Sequence, residues 1–391
     1  MVVGIVAEYN PFHNGHRLQL DYARKVLKAD QIVVAMSGSF TQRGEIACFD
    51  KYTRAHAALI CGADVILEIP TIFATSSARE FASAGVQLLA STGIVDTLLF
   101  SAEACDRELF ITESKKLAEL EASGEINNEI NALVSQGISY ATARAKALKT
   151  FLSEELISSP NNILGIEYCR YIFANNINMD IQVMERQANQ YNDLSLSGEI
   201  SSATSIRQHY KLSGEYVAVP DEIKSLYKNN YFIKANDISE MLHYKLISVG
   251  DFEPYLDCNR DLSDRINNYK KDFISFTQFC ELVKSKNYEY SRISRVLCHI
   301  LLGIKNEEFR DAKENSYITY IRMLGFSKNG NKLLKSIKKN SAVPLITEPN
   351  EIVNKYDLRS ADILRAVVTS RTGEVMDNEY TRKFDLVNIE N

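Results

Sequence analysis

The chain has 391 residues, 45% of them hydrophobic and 24% charged, with a formal net charge of -5 and an isoelectric point near 5.8. That composition excludes a disordered chain and a uniformly basic nucleic-acid binder, so any RNA contact must be a local patch; the length suffices for one large or two ordinary domains. Seven cysteines, with no CxxC pair and no histidine at zinc spacing, fit reduced thiols, and without a leader or an apolar run of spanning length a soluble, cytoplasmic protein with no membrane partner and no metal site is expected.

The first apolar run begins at Val2 and stops at Glu8. The turn-forming Asn10-Pro11 follows, and His13-Asn14-Gly15-His16 opens a stretch with helical spacing, so the order is strand, loop, helix. Gly15 lets the backbone approach a ligand without a Cβ in the way, and free amides at a helix start favour a phosphate. Imidazoles three residues apart share one side of a turn, where they can donate to charge on an α-phosphate oxygen and a leaving pyrophosphate. Two satisfied histidines after an ordinary strand are the alternative, which the pairing around Gly15 disfavours.

An amphipathic stretch from about Arg17 to Leu27 leads to a second strand, Gln31–Met36, ending in Ser37-Gly38-Ser39. Strand, helix, strand implies a right-handed crossover with parallel strands, whose ligands bind at the carboxyl ends. In the polar loop from Ser39 to Glu45, Arg43 suits phosphate or carboxylate capture, although a solvated loop fits the composition equally; Lys51 and Arg54 begin the next helix. Asp64 to Pro70 is nearly all apolar, as for a strand buried on both faces. A helix over about Ala78 to Ser91 and a fourth strand, Thr97 to Phe100, follow, the strand running into Ser101-Ala102-Glu103.

Glu113 to Glu155 is charged and helical without a catalytic cluster. Ser159-Pro160-Asn161-Asn162 is a helix start whose asparagines either cap the helix or meet a ligand. After the strand Ile181–Met184, Arg186 stands at a carboxyl end, as a surface residue or a ligand contact. In the segment from Ile200 to Arg207, hydroxyls including Ser202 and Thr204 can cap a helix or bond a triphosphate, with Arg207 supplying charge.

Beyond about Ser213 the character changes to Lys, Asn, Tyr and Leu at helical spacing with few strand candidates, starting at Pro220. In the run from Lys284 to Gly303, Lys286, Arg292 and Arg295 are interleaved with Tyr288 and Tyr290. Such a run fits RNA phosphates and unstacked bases, or a basic exposed helix face. Lys328, Lys332, Lys335, Lys338 and Lys339 carry the same ambiguity. No feature sets the oligomeric state.

His13-Asn14-Gly15-His16 resembles the (H/T)xGH signature of the nucleotidyltransferase superfamily, which also holds the class I aminoacyl-tRNA synthetases. The longer string Glu8 to His16 closely resembles the bacterial tRNA(Met) cytidine acetate ligase family. Gln42-Arg43-Gly44-Glu45 with a following lysine and Pro160-Asn161-Asn162-Ile163-Leu164-Gly165 are similar to family segments, and Ile200–Arg207 resembles the superfamily's ISSTxxR element. Later, Arg292-Ile293-Ser294-Arg295, Ile300–Ile304 and Arg322–Phe326 carry the likeness more thinly.

The resemblance implies an α/β fold: a Rossmann-like nucleotidyltransferase domain with a parallel sheet over residues 1–213, then a mainly α-helical tRNA-binding domain over residues 214–391. It implies ATP contacts from Ala7, Glu8, Tyr9, Asn10, Pro11, Phe12, His13, Asn14, Gly15, His16 and Leu20. Further contacts are implied from Asn161, Arg186, Ser202 and Thr204, and from Ser101, which stands where the family usually has glycine. His13 and His16 would be catalytic; Lys286, Arg292 and Arg295 would meet tRNA.

The implied activity is AMP-forming. Acetate would be activated by the substrate ATP, with Mg²⁺ on the phosphates, as acetyl-adenylate, and passed to N4 of the wobble cytidine of elongator tRNA(Met). Two alternatives differ in class. A small-molecule adenylyltransferase for coenzyme synthesis would not require the long Lys- and Tyr-bearing segment, and an RNA-binding scaffold without turnover would not require intact His13, Gly15 and His16.

Overall fold

The computed structural model describes residues 1–136, 140–186, 201–382 and 386–387. Its strands are β1 (Val2–Ala7), β2 (Gln31–Ser37), β3 (Val65–Ile69), β4 (Thr97–Ala102), β5 (Asp180–Glu185), β6 (Ile321–Ser327), β7 (Leu345–Ile346) and β8 (Leu386–Val387). They form one sheet in the order β5-β4-β1-β2-β3-β6-β7, with β8 paired to β6. The first five strands are mutually parallel, and β6 runs antiparallel to β3.

The strand residues explain this arrangement. Along β2, Ile32, Val34 and Met36 pack on one face with Val3 and Ile5, while Val33 and Ala35 pack on the other with Val65 and Leu67. Period-two alternation thus feeds two apolar layers, and a strand covered on both faces reads as one continuous apolar run. The Ala78–Ser91 helix lies close on β1, where a Cβ at Gly85 would stand 2.6 Å from Val6 Cγ1.

Chain order reverses at β1, which has β4 on one side and β2 on the other. A crevice opens at the carboxyl ends of strands where such a reversal occurs. The loop from β1 into the first helix, α1 (Asn14–Lys25), lies at that point.

The α/β class expected from the sequence is the one observed. The segment after residue 213 is mainly helical, and it also contributes β6, β7 and β8 to the same sheet. Ile321–Ser327 is wholly buried. Its strand character is hard to read in advance, because a short apolar run has the same look in a buried helix and a buried strand. The Tyr290–Leu302 helix buries Val296, Leu297 and Ile300 in the same core as Leu67 and Phe73. Among the described residues no helix is long and apolar enough to cross a membrane.

Candidate active site

The loop between β1 and α1 is built as a rigid floor. Tyr9 adopts a left-handed backbone (φ 48°), turning the chain at the strand's end. Asn10 Oδ1 accepts from the Cys48 N–H (2.7 Å), and the Asn10 carbonyl accepts from Arg207 Nη1 (2.7 Å). Tyr9 and Phe12 are buried beneath His16, with ring centroids 4.7 and 5.5 Å from its ring. The buried Arg54 donates to the carbonyls of Glu8 (2.7 Å) and Ser37 (3.1 Å), and so ties together the carboxyl ends of β1 and β2.

His13 caps α1. Its Nδ1 accepts from the Gly15 N–H (3.1 Å), while His16 Nδ1 accepts from the His13 N–H (3.2 Å). The rings stack with centroids 3.7 Å apart. Burial, and then the positive charges of Arg186 and Arg207, hold the His13 pKa down at about 3. Burial, His13 and Arg186 hold His16 well below its ordinary value as well. Both rings are therefore neutral near pH 7. Since each Nδ1 is an acceptor, each proton resides on Nε2.

These rings line a cleft of about 910 Å³ at the sheet's carboxyl edge. Its cations come from separate parts of the chain. Arg43, carried by the 41–45 loop, donates to Thr204 Oγ1 (3.4 Å), and that loop is tied to β1 by the Gln42 N–H donating to Glu8 Oε1 (2.7 Å). Arg207 lies 3.6 Å from Glu45, and Arg186 lies 3.6 Å from Glu103. Asn161 Nδ2 also donates to Glu103 (2.6 Å). Its neighbour Asn162 is buried and structural: Oδ1 accepts the N–H groups of Glu103 (2.9 Å) and Ala104 (3.0 Å), fixing the turn after β4. Ser202 caps the Ala203–Ser213 helix, whose start faces the cleft.

Of the residues expected to bind a nucleotide, Ala7, Glu8, His13, Gly15, His16, Ser101, Asn161, Arg186, Ser202 and Thr204 line this cleft. Ser101 is half-buried at the end of β4 beside Met184. Tyr9, Asn10, Pro11, Phe12 and Leu20 are buried outside the lining and form its support, and the Asn14 N–H donates to the Ala218 carbonyl (2.9 Å). Ile200 lies outside the described residues.

The basic residues separate. Lys286 is exposed on a small hairpin, Ser285 bridging to Tyr288. Arg292 donates to the Asp257 carbonyl (3.2 Å) and sits over the Tyr288 ring, 5.2 Å from its centroid. Arg295 lines the same cleft as His13 and His16, together with Glu289, Tyr290 and Ser291. Sequence reasoning missed Glu289 and Ser291 and read Tyr290 only as a candidate RNA contact, since nothing local joins the Tyr290–Leu302 helix to the 41–45 loop. Lys328, Lys332, Lys335, Lys338 and Lys339 are all exposed, four of them on the Asn331–Asn340 helix, which buries Leu333 and Ile337. Lys51 is buried, 2.8 Å from both Glu68 and Glu379, and lies outside the cleft lining. Among the described residues no group of three or more His, Cys, Asp or Glu could hold a metal ion.

Neutral Nε2–H donors beside several arginines suit an anion that gains charge during reaction, such as a phosphate undergoing displacement. A family model described as HIGH Nucleotidyl Transferase matches residues 1–379. The tRNA(Met) cytidine acetate ligase of Clostridium kluyveri is 35% identical over 383 residues, covering 93% of this chain and 93% of that protein. That of Clostridium tetani is 35% identical over 377 residues, covering 91% of each. Crystal structures of Thermotoga maritima TmcAL, 28% identical and covering 94% of this chain and 93% of that one, superpose with TM-scores of 0.84 without ligand and 0.81 with alpha-thio ATP bound.

Proposed function

The chain belongs to the HIGH nucleotidyltransferases and, among them, to the tRNA(Met) cytidine acetate ligase family, and on that premise we propose that it acetylates N4 of the wobble cytidine of elongator tRNA(Met). It is an ATP-binding ligase. In the first step an acetate oxygen attacks the α-phosphorus of ATP and the bond to the β-phosphate breaks, giving acetyl-adenylate and pyrophosphate. In the second the cytidine N4 amine attacks the acetyl carbonyl, the bond to the phosphate breaks, and AMP leaves as the amine loses a proton.

His13 and His16 act in the first step. Their Nε2–H groups donate to the α-phosphate as its charge rises, without changing protonation state. Arg43, Arg186 and Arg207 hold the phosphates in line. Asn161 and Ser101 meet the nucleoside end, and Ser202 with Thr204 the phosphate end. Magnesium would enter with the ATP and neutralise its phosphates. Residues 1–213 carry this chemistry in the cytoplasm. Residues 214–391 hold the tRNA, with Lys286 and Arg292 as its phosphate contacts; a cytidine in a single-stranded loop leaves its stack at modest cost.

The observation that carries this reading is the reciprocal pair of Nδ1 acceptors, which turns both Nε2–H groups to chemistry. The test is incubation with labelled acetate, ATP and elongator tRNA(Met), followed by nucleoside mass spectrometry. N4-acetylcytidine at the wobble position is the expected product. ATP consumed with another acceptor and no label in tRNA would move the assignment to a small-molecule adenylyltransferase, and absence of turnover to an RNA-binding scaffold.

A further inference from the structure

Arg295 stands apart from the other cleft arginines. The Tyr290–Leu302 helix brings it, with Glu289, Tyr290 and Ser291, into the cleft that holds His13 and His16. Its side chain is only 14% exposed, and the nearest carboxylate oxygen, on Asp257, is 4.0 Å from Nε, beyond hydrogen-bond length. Among the described residues that buried Nε has no hydrogen-bond partner. By contrast Arg207 donates to the Asn10 carbonyl and Arg43 to Thr204. A buried, charged N–H without a bonded acceptor is costly, and the same geometry turns favourable once an anion arrives.

The approach of this helix is enforced from the other side. Gly44 has a φ of +74°, and a Cβ there would stand 2.3 Å from the Arg295 backbone nitrogen and 2.5 Å from the Ser294 carbonyl carbon. The Gly44 carbonyl accepts from Ser294 Oγ (2.7 Å) and from Cys298 Sγ (2.8 Å). The backbone of Arg295 is therefore clamped to the loop that carries Arg43, and both guanidinium groups line one cleft.

We propose that Arg295, reaching in from the helical segment, binds the β- or γ-phosphate of ATP and completes the nucleotide site. This deepens the ligase reading and rests on ATP being the nucleotide. A phosphate of the tRNA backbone offers the same chemistry, so the experiment separates the two sources. The cleft interior favours ATP: Arg295 shares its lining with Arg43, Arg186 and Arg207, whereas Lys286 stands on the outer surface.

The test is Arg295→Gln, with Arg295→Lys as the charge-retaining control and circular dichroism to establish that both fold. Binding of a non-hydrolysable ATP analogue and of AMP is measured by calorimetry without acetate or tRNA, so the result stands apart from whether tRNA is acetylated. Arg295→Gln is expected to weaken the triphosphate analogue about tenfold to a hundredfold, as for one charge-assisted contact. AMP affinity should stay within twofold, and Arg295→Lys should fall between. Unchanged analogue binding overturns the proposal, as does a defect confined to the KM for tRNA, which would assign Arg295 to the RNA backbone. Equal weakening of AMP and the analogue also overturns it, since the contact would then lie outside the β- and γ-phosphates.

Discussion

His13 and His16 hold each other's turn of backbone, His13 Nδ1 taking the Gly15 N–H at 3.1 Å and His16 Nδ1 taking the His13 N–H at 3.2 Å. Capping and the proposed catalysis are thus two uses of one ring, separated by its two nitrogens. His13→Asn keeps a good capping oxygen and loses the Nε2–H, whereas His13→Ala loses both. We expect His13→Asn to stay within about 1 kcal/mol of the parent stability and His13→Ala to lose roughly 1–2 kcal/mol. Acetate-dependent ATP–pyrophosphate exchange should fall about a hundredfold or more in both. Near-normal exchange in either variant would remove His13 from the chemistry.

The same pair makes stability depend on acid in a defined direction. The His13 pKa, about 3 in the fold, is far below the ordinary value, and His16 is depressed too. Between about pH 3 and the ordinary range near 6.5 the unfolded chain binds protons that the folded rings refuse. Their neutral-state stabilisation is fully present above about pH 6.5 and is lost as pH falls, His13 contributing a slope of roughly 1.4 kcal/mol per unit well below that value and His16 adding in the same direction. Urea unfolding at pH 7, 6 and 5 should show this slope, and a His13→Asn/His16→Gln double variant should flatten it. A parallel pH slope in the double variant would mean that the rings are not held neutral by the fold.

Much of this site could be read in advance because its signals are local. Val2–Ala7 followed by His13-Asn14-Gly15-His16 fits strand, loop and helix within one stretch, and Ser202 precedes a helix that it does cap. What escaped depends on residues far apart in the chain. Ile321–Ser327 becomes β6 only because β3 offers it an edge, a pairing with no periodic trace in either segment. Lys51 looks like a functional cation beside the Gln-Arg-Gly-Glu loop, and Glu379, from the other end of the chain, helps to bury and neutralise it. Arg295 reads as one more basic residue on a helix until the contact with Gly44 turns it inward.

Asn161 and Asn162 are neighbours with opposite tasks, which predicts opposite phenotypes. Asn162 Oδ1 satisfies the N–H groups of both Glu103 and Ala104, so Asn162→Ala strands two amides and should cost roughly 2–4 kcal/mol in urea unfolding. Asn161 bonds Glu103 at the cleft, and Asn161→Ala should leave stability within about 0.5 kcal/mol while raising the KM for ATP about tenfold. A large stability loss at Asn161 with an unchanged KM would make it structural after all.

Gly44 is the residue on which the junction between the loop and the helix turns. Its left-handed backbone costs a non-glycine residue about 1 kcal/mol. The larger cost is steric, because a Cβ there would meet backbone atoms of Ser294 and Arg295, which cannot swing away as a side-chain tip can. Gly44→Ala should therefore push the Tyr290–Leu302 helix off the loop, costing roughly 2–4 kcal/mol in urea unfolding and weakening the ATP analogue at least as much as Arg295→Gln does. Ser294→Ala supplies the contrast: it removes one hydrogen bond to the Gly44 carbonyl while leaving the bond from Cys298, and should cost about 1 kcal/mol with little effect on nucleotide binding. If Gly44→Ala is as mild as Ser294→Ala in both measurements, the close approach of helix and loop is not what sets the cleft.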